Sequence, residues 1–127
     1  MTVRLLVFDD DAAIGRLVVR VASLAGLEAA AVTVPAAFRQ SLLDAPPQII
    51  VLDLQLGATD GVEQLHMLAD QHYGGSLIMA SGFDSRVLAA TAAVAQNLGL
   101  TVAATLAKPI RIEALSRLRR LDQRLAG

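Results

Sequence analysis

Polar side chains that can bind metal or phosphate stand at the ends of four apolar runs in this 127-residue chain. Asp9 and Asp10 follow RLLVF, Asp53 follows QIIVL, Ser81 follows LIMA and Lys108 follows TVAATLA. If these runs are strands of one parallel sheet, their carboxyl ends bring the side chains to a single edge, where open α/β sheets bind ligands. Carboxylates, a hydroxyl and an ammonium group at one edge suit a magnesium ion and a phosphoryl group.

The three carboxylates limit the choice of metal. Asp9, Asp10 and Asp53 would repel one another if held a few Å apart, so either a carboxyl pKa rises or a cation binds between them. A small set of oxygen ligands, with room left for water and phosphate, favours Mg²⁺ over Ca²⁺, which takes six to eight oxygens. No histidine or cysteine accompanies the cluster, which disfavours zinc.

The elements that would position these residues alternate along the chain. Apolar runs of strand length predict strands at residues 3–8, 29–33, 49–54, 77–80 and 101–107. Apolar residues at helical spacing predict helices over 14–21, from Pro35 onward, and over 61–68, 85–98 and 112–125, with Gly26 capping the first. Five βα units in series predict an α/β fold, a doubly wound (βα)5 domain with a five-stranded parallel sheet and helices on both faces.

Length and composition set the broad class. The length fits a single domain, residues 1–127, with a core of its own. A net charge of -1 and a pI near 6.0 give no electrostatic reason to expect nucleic acid or an anionic membrane as a partner. The chain has no cysteine, no signal-peptide pattern and no apolar run near the ~18 residues of a membrane span. These features predict a cytoplasmic protein without a membrane partner.

Four segments of the chain together resemble a known family. VFDDD, VLDLQLGATDG, LIMASG and AKPI are similar to the four signature regions of the response-regulator receiver domain of two-component signalling, in the same order and spacing. The resemblance covers essentially the whole chain. It implies a flavodoxin-like fold with strand order 2-1-3-4-5 and a signalling domain rather than an enzyme. Such a domain takes a phosphoryl group from a histidine kinase or phosphotransfer protein and slowly loses it again by autodephosphorylation.

The resemblance also implies a role for each polar residue. The implied roles are phosphoacceptor for Asp53, Mg²⁺ ligands for Asp9, Asp10, Asp53 and the Gln55 backbone carbonyl, switch hydroxyl for Ser81, phosphate-pairing cation for Lys108, and a cis peptide before Pro109. The chemistry agrees, because a carboxylate can attack a phosphohistidine when a metal and a cation neutralise charge on the transferring oxygens.

Two positions depart from the family pattern. Gly57 stands four residues after the acceptor, where proline is usual, and Thr105 stands three before Lys108, where most members carry an aromatic output residue. Without that aromatic ring, we expect the signal to pass through the fourth helix and fifth strand. The outward positions of this helix include Ala89, Ala90, Ala92 and Ala93. Such a face could contact a second protomer or an output domain.

Two other functions fit parts of the sequence. In a haloacid-dehalogenase-type phosphatase, Asp9 would be the nucleophile and Asp11 the acid, with Ser81 and Lys108 as partners. That interpretation leaves Asp53 unexplained and lacks the acidic motif that this family places after the lysine strand. The other alternative is a docking module that has lost phosphorylation, which the full set of polar residues argues against.

Overall fold

A parallel sheet of five strands forms the centre of the protein. The computed structural model describes residues 2–55, 61–82, 84–111, 113, 114, 118 and 120. In this part of the chain the strands are β1 (Arg4–Phe8), β2 (Glu28–Val32), β3 (Ile49–Asp53), β4 (Ser76–Ser81) and β5 (Thr101–Ala107). All pairings are parallel, and the order across the sheet is β2-β1-β3-β4-β5. The predicted sheet and strand order are therefore confirmed, with strand ends within one residue of prediction.

Four helices connect the strands. They are α1 (Ala12–Leu24), α2 (Pro35–Asp44), α3 (Gly61–Asp70) and α4 (Ser85–Asn97). The fifth predicted helix, over 112–125, falls mostly outside the described residues, as does Gly57. None of the helices in the described part of the chain has the length and apolar character needed to cross a bilayer.

The sheet is covered on both faces. One core packs Phe8, Leu52 and Met79 against residues of α2, α3 and α4, with the Phe8 and Phe38 ring centroids 4.8 Å apart. The core on the opposite face packs alternate strand residues against α1. Every residue of β3 is buried, because this central strand has neighbours on both edges and helices on both faces.

Local sequence signals fix where the helices begin and end. Asp11 and Asp84 cap α1 and α4, since the Oδ1 atom of each accepts a backbone N–H from the first turn. Pro35 is the first residue of α2, where a missing N–H costs no hydrogen bond. Gly26 follows α1 with a φ of 91°, a left-handed conformation that glycine adopts without a steric penalty. These signals set the starts of α1, α2 and α4 and the end of α1.

Candidate functional site

The parallel register aligns the carboxyl ends of β1, β3, β4 and β5. Phe8 pairs with Leu52, Asp53 with Ala80, and Ser81 with Ala107. Asp9 directly follows β1, and Lys108 directly follows β5. The backbone N–H of Lys108 donates to the Ser81 carbonyl at 2.9 Å. The structure thus brings the predicted polar residues together at the edge where parallel sheets bind ligands.

Three carboxylates form the acidic part of the site. Asp9, Asp10 and Asp53 each offer an oxygen, and these oxygens lie within 4.8 Å of one another. Asp9 and Asp53 are buried, with 2% and 1% of their surface exposed, whereas Asp10 is open to solvent. Because two of the charges are removed from water, this cluster demands positive charge more strongly than a surface cluster of the same composition.

Lys108 supplies part of that positive charge. Its Nζ lies 2.9 Å from Asp9 Oδ2 and 3.2 Å from Asp53 Oδ1. Burial of the ammonium group favours its neutral form, but the hydrogen bond to Asp9 and the charges of Asp53 and Asp9 outweigh burial, so the pKa of Lys108 rises. The lysine is therefore held charged between the two buried carboxylates.

The negative charge of Asp53 is only partly compensated by its neighbours. Its Oδ1 accepts the Gln55 backbone N–H at 3.0 Å as well as the Lys108 ammonium, but its buried Oδ2 has no hydrogen-bond partner among the described residues. Burial raises the pKa of Asp53, and the Asp9 charge adds to this, while Gln55 and Lys108 act in the opposite direction without cancelling it. An unpaired buried oxygen beside two further carboxylates is a donor set that fits a hard divalent cation.

Ser81 is the last residue of β4 and directly follows Ala80, the residue that pairs with Asp53. Its side chain is fully buried, and its backbone is fixed by the pairing of β4 with β5. The peptide between Lys108 and Pro109 is cis, as the resemblance implied. Thr105 lies on β5 and is partly buried. It puts a small hydroxyl side chain at the position where an aromatic residue is usual.

Gln55 makes a contact that sequence reasoning did not predict. Its side-chain Oε1 accepts the Gly82 backbone N–H at 2.7 Å, which joins the residues that follow β3 to those that follow β4. A Cβ built on Gly82 would lie 2.7 Å from this oxygen, too close for a real contact. A glycine directly after the buried serine was the available signal, but its partner lies 27 residues away in sequence.

Asp11 lies outside the acidic cluster. Its side chain caps α1 by accepting the Ala13 N–H at 2.9 Å, and its own backbone N–H donates to Asp9 Oδ1 at 2.9 Å. The carboxylate is exposed. The backbone N–H of Asp11 thus helps to orient Asp9, while its carboxylate caps α1. The carboxylate is therefore not placed to act as the acid that the phosphatase interpretation requires.

Comparisons with known proteins agree with this geometry. The family model of the response regulator receiver domain matches residues 5–119. A response regulator from Colwellia psychrerythraea is 32% identical, with a TM-score of 0.84 over 98% of this chain and 99% of that one. A CheY-like receiver domain protein from Methanospirillum hungatei is 21% identical, with a TM-score of 0.74 over 98% and 99% of the two chains.

A third solved structure is a response regulator from Burkholderia pseudomallei that contains a phosphorylated aspartic acid, a calcium ion and citrate. It is 21% identical, with a TM-score of 0.76 over 98% of this chain and 71% of that one. A search of curated proteins gave no match. The family match over most of the chain carries the assignment, and the chain belongs to the response regulator receiver domains of two-component systems.

Proposed function

We propose that the chain takes a phosphoryl group onto Asp53 from the phosphohistidine of a histidine kinase or phosphotransfer protein, in a Mg²⁺-dependent reaction. The observation that carries this proposal is the position of Asp53. Its carboxylate is buried at the end of the central strand, with Lys108 Nζ 3.2 Å from one oxygen and no partner on the other among the described residues. The phosphorylated aspartic acid of the Burkholderia regulator adds support from within the family.

The acidic cluster is the proposed metal site. Asp9, Asp10 and Asp53 would hold Mg²⁺ through their carboxylates, together with the backbone carbonyl of Gln55. When bound, the ion would neutralise charge on the oxygens of the transferring phosphoryl group. It would also relieve the repulsion among the three carboxylates, which Lys108 relieves only in part.

The protein residues then supply positioning and charge. A carboxylate oxygen of Asp53 attacks the phosphorus atom, and the P–N bond of the donor breaks with its electron pair passing to the imidazole as the new P–O bond forms. The product is an acyl phosphate on Asp53 and a free histidine. Lys108 offers a fixed positive charge to a phosphoryl oxygen, and the Ser81 hydroxyl donates a hydrogen bond to another. Water can later hydrolyse the acyl phosphate, which releases inorganic phosphate and returns Asp53 to its carboxylate.

The output surface is proposed on α4 and β5. Thr105 cannot act as a large moving ring, so the shift of the Ser81 segment has to reach a partner through the neighbouring elements. The exposed side of α4 carries Val87, Val94, Ala89, Ala90 and Ala93, with 44% and 39% of the two valines accessible. The prediction that Ala92 faces outward was wrong, because Ala92 is partly buried and packs against the core. A second protomer or an output domain would bury this apolar area when Asp53 is phosphorylated, and residues 1–127 would act as a single receiver domain.

Phosphorylation of variants tests the proposal. Acetyl phosphate or phosphoramidate with Mg²⁺ should add one phosphate to the protein, detected by intact mass, and Asp53→Asn should abolish it. Lys108→Ala and Ser81→Ala should slow the reaction while the acceptor is still modified, because they remove charge and a hydrogen bond but not the nucleophile. A hydroxylamine-sensitive phosphate mapped to Asp9, or turnover of p-nitrophenyl phosphate, would instead support the phosphatase.

A further inference from the structure

Gln55 connects the two halves of the site through two separate contacts. Its backbone N–H donates to Asp53 Oδ1 at 3.0 Å, and its side-chain Oε1 accepts the Gly82 N–H at 2.7 Å. Gly82 directly follows Ser81, the buried residue at the end of β4. One residue therefore ties the acceptor carboxylate to the segment that carries the hydroxyl.

The contact with Gly82 depends on the absence of a side chain there. A Cβ on Gly82 would approach Gln55 Oε1 to 2.7 Å, whereas real Cβ atoms essentially never come nearer than 3.0 Å to another heavy atom. The φ of Gly82 lies outside the left-handed region, so the backbone conformation itself does not require glycine. Because Oε1 is the far end of a flexible side chain, the carboxamide could move away from such a Cβ at little cost, but its hydrogen bond with the Gly82 N–H would then be lost.

The Gly82 N–H is a donor that a phosphoryl group on Asp53 can compete for. Asp53 pairs with Ala80, so the chain that leaves β4 passes beside the acceptor, and the Gln55 side chain bridges the space between them. An anionic phosphoryl oxygen is a stronger acceptor than a neutral carboxamide oxygen. A phosphoryl group in that space would therefore take the N–H from Gln55.

We propose that the Gln55 side chain is a latch that holds the Ser81–Gly82 segment in its resting position and releases Gly82 when Asp53 gains a phosphoryl group. Gln55 acts here as a positioning residue through its carboxamide. This inference rests on the proposed phosphorylation of Asp53. Breaking the latch removes one hydrogen bond from the resting state only, so it lowers the free energy needed to reach the phosphorylated conformation.

The test replaces the carboxamide without shortening the side chain. Gln55→Met should tighten the binding of beryllofluoride with Mg²⁺ by about threefold to tenfold, the range that one net hydrogen bond corresponds to. The Gly82 amide should also exchange faster with solvent in the free variant than in the wild type. Gln71→Met is the matched control, because Gln71 is exposed in the turn just after α3, and it should leave both values unchanged.

A second substitution breaks the same contact from the other side. Gly82→Ala should tighten beryllofluoride binding to a similar degree, and the double variant should gain little over either single one, because both remove the same bond. Equal affinity and equal Gly82 exchange in Gln55→Met and the wild type would overturn the latch, as would weaker binding by Gln55→Met. If the wild type itself neither binds beryllofluoride nor takes a phosphoryl group, the proposed function fails, which is a distinct outcome.

Discussion

Replacing the buried acceptor carboxylate by a neutral amide should stabilise the protein in the absence of metal. Asp53 is 1% exposed, its Oδ2 has no partner among the described residues, and its pKa is raised, chiefly by burial. The charged form is therefore less favourable in the folded state than in the unfolded state. We predict that Asp53→Asn raises the free energy of unfolding at neutral pH in EDTA, even though it removes the phosphoacceptor.

The magnitude follows from opposing charges around the carboxylate. With an effective dielectric constant of ~20, Lys108 at 3.2 Å attracts Asp53 by about 5 kcal/mol, and Asp9 within 4.8 Å repels it by about 3.5 kcal/mol or more. Asp10 adds a smaller repulsion because it is exposed. These effects largely offset one another, which leaves the desolvation of an incompletely paired group, about 1–3 kcal/mol. We therefore expect Asp53→Asn to raise the free energy of unfolding by about 1–3 kcal/mol.

The pH dependence of stability supplies the assay. Below the ordinary pKa of 3.8, Asp53 is mostly protonated in both the folded and unfolded states, so the difference in stability between wild type and variant should become small toward pH 3. As the pH rises from there through the raised pKa of the folded state, the wild type should lose stability relative to Asp53→Asn, and the difference should then stay constant. Urea unfolding in EDTA between about pH 3 and pH 8 measures this difference in stability. Lys108 stays charged over this range, because its pKa is raised above 10.5.

Glu28→Gln is the control for simple removal of a carboxylate, since Glu28 is exposed on the edge strand β2. Its effect should stay within about 0.5 kcal/mol at every pH. An Asp53→Asn variant that is less stable than the wild type at neutral pH in EDTA would refute the reasoning, because it would mean that Lys108 and Gln55 more than compensate the buried charge.

Two further predictions concern the metal and the output surface. Mg²⁺ at ten times its Kd should stabilise the wild type by about 1.4 kcal/mol. Asp10→Asn should weaken this effect while leaving the metal-free protein at least as stable. Equal melting temperatures of the wild type in EDTA and in excess Mg²⁺ would contradict the metal site. Ala93→Glu should disrupt self-association or partner binding through α4 while leaving phosphorylation intact, as sedimentation and intact mass would measure. That surface is not the output if beryllofluoride changes neither the hydrodynamic size nor the amide shifts of residues 89–107.

The sequence predicted the sheet and its polar edge because both depend on short-range patterns. Strand-length apolar runs end in charged or hydroxyl residues, and parallel order then aligns those ends whatever the details of packing. The predicted strand at residues 49–54 therefore delivers Asp53 to the observed edge, although β3 ends one residue earlier. Positions of this kind are fixed by the fold alone.

Side-chain partners over long sequence separations were not predictable. The Gln55–Gly82 hydrogen bond joins residues 27 apart, and its existence depends on the close approach of two loops. The two roles of Asp11, as the cap of α1 and as a backbone donor to Asp9, were not predicted either. A third aspartate in a row resembles another member of the acidic cluster until the start of α1 is known. The charge state of Asp53 also depends on which oxygens find partners, which only the three-dimensional arrangement determines.

The burial of β3 has a consequence for how the protein opens. All five residues of this strand are buried between two cores, whereas the edge strand β5 has exposed and partly buried positions along most of its length. Amide protons in β3 should therefore exchange only through global unfolding, while those on the outer side of β5 exchange through local fluctuations. Motions at the edge of the sheet can thus change the surface presented to partners while the acceptor stays anchored to the most cooperative part of the molecule.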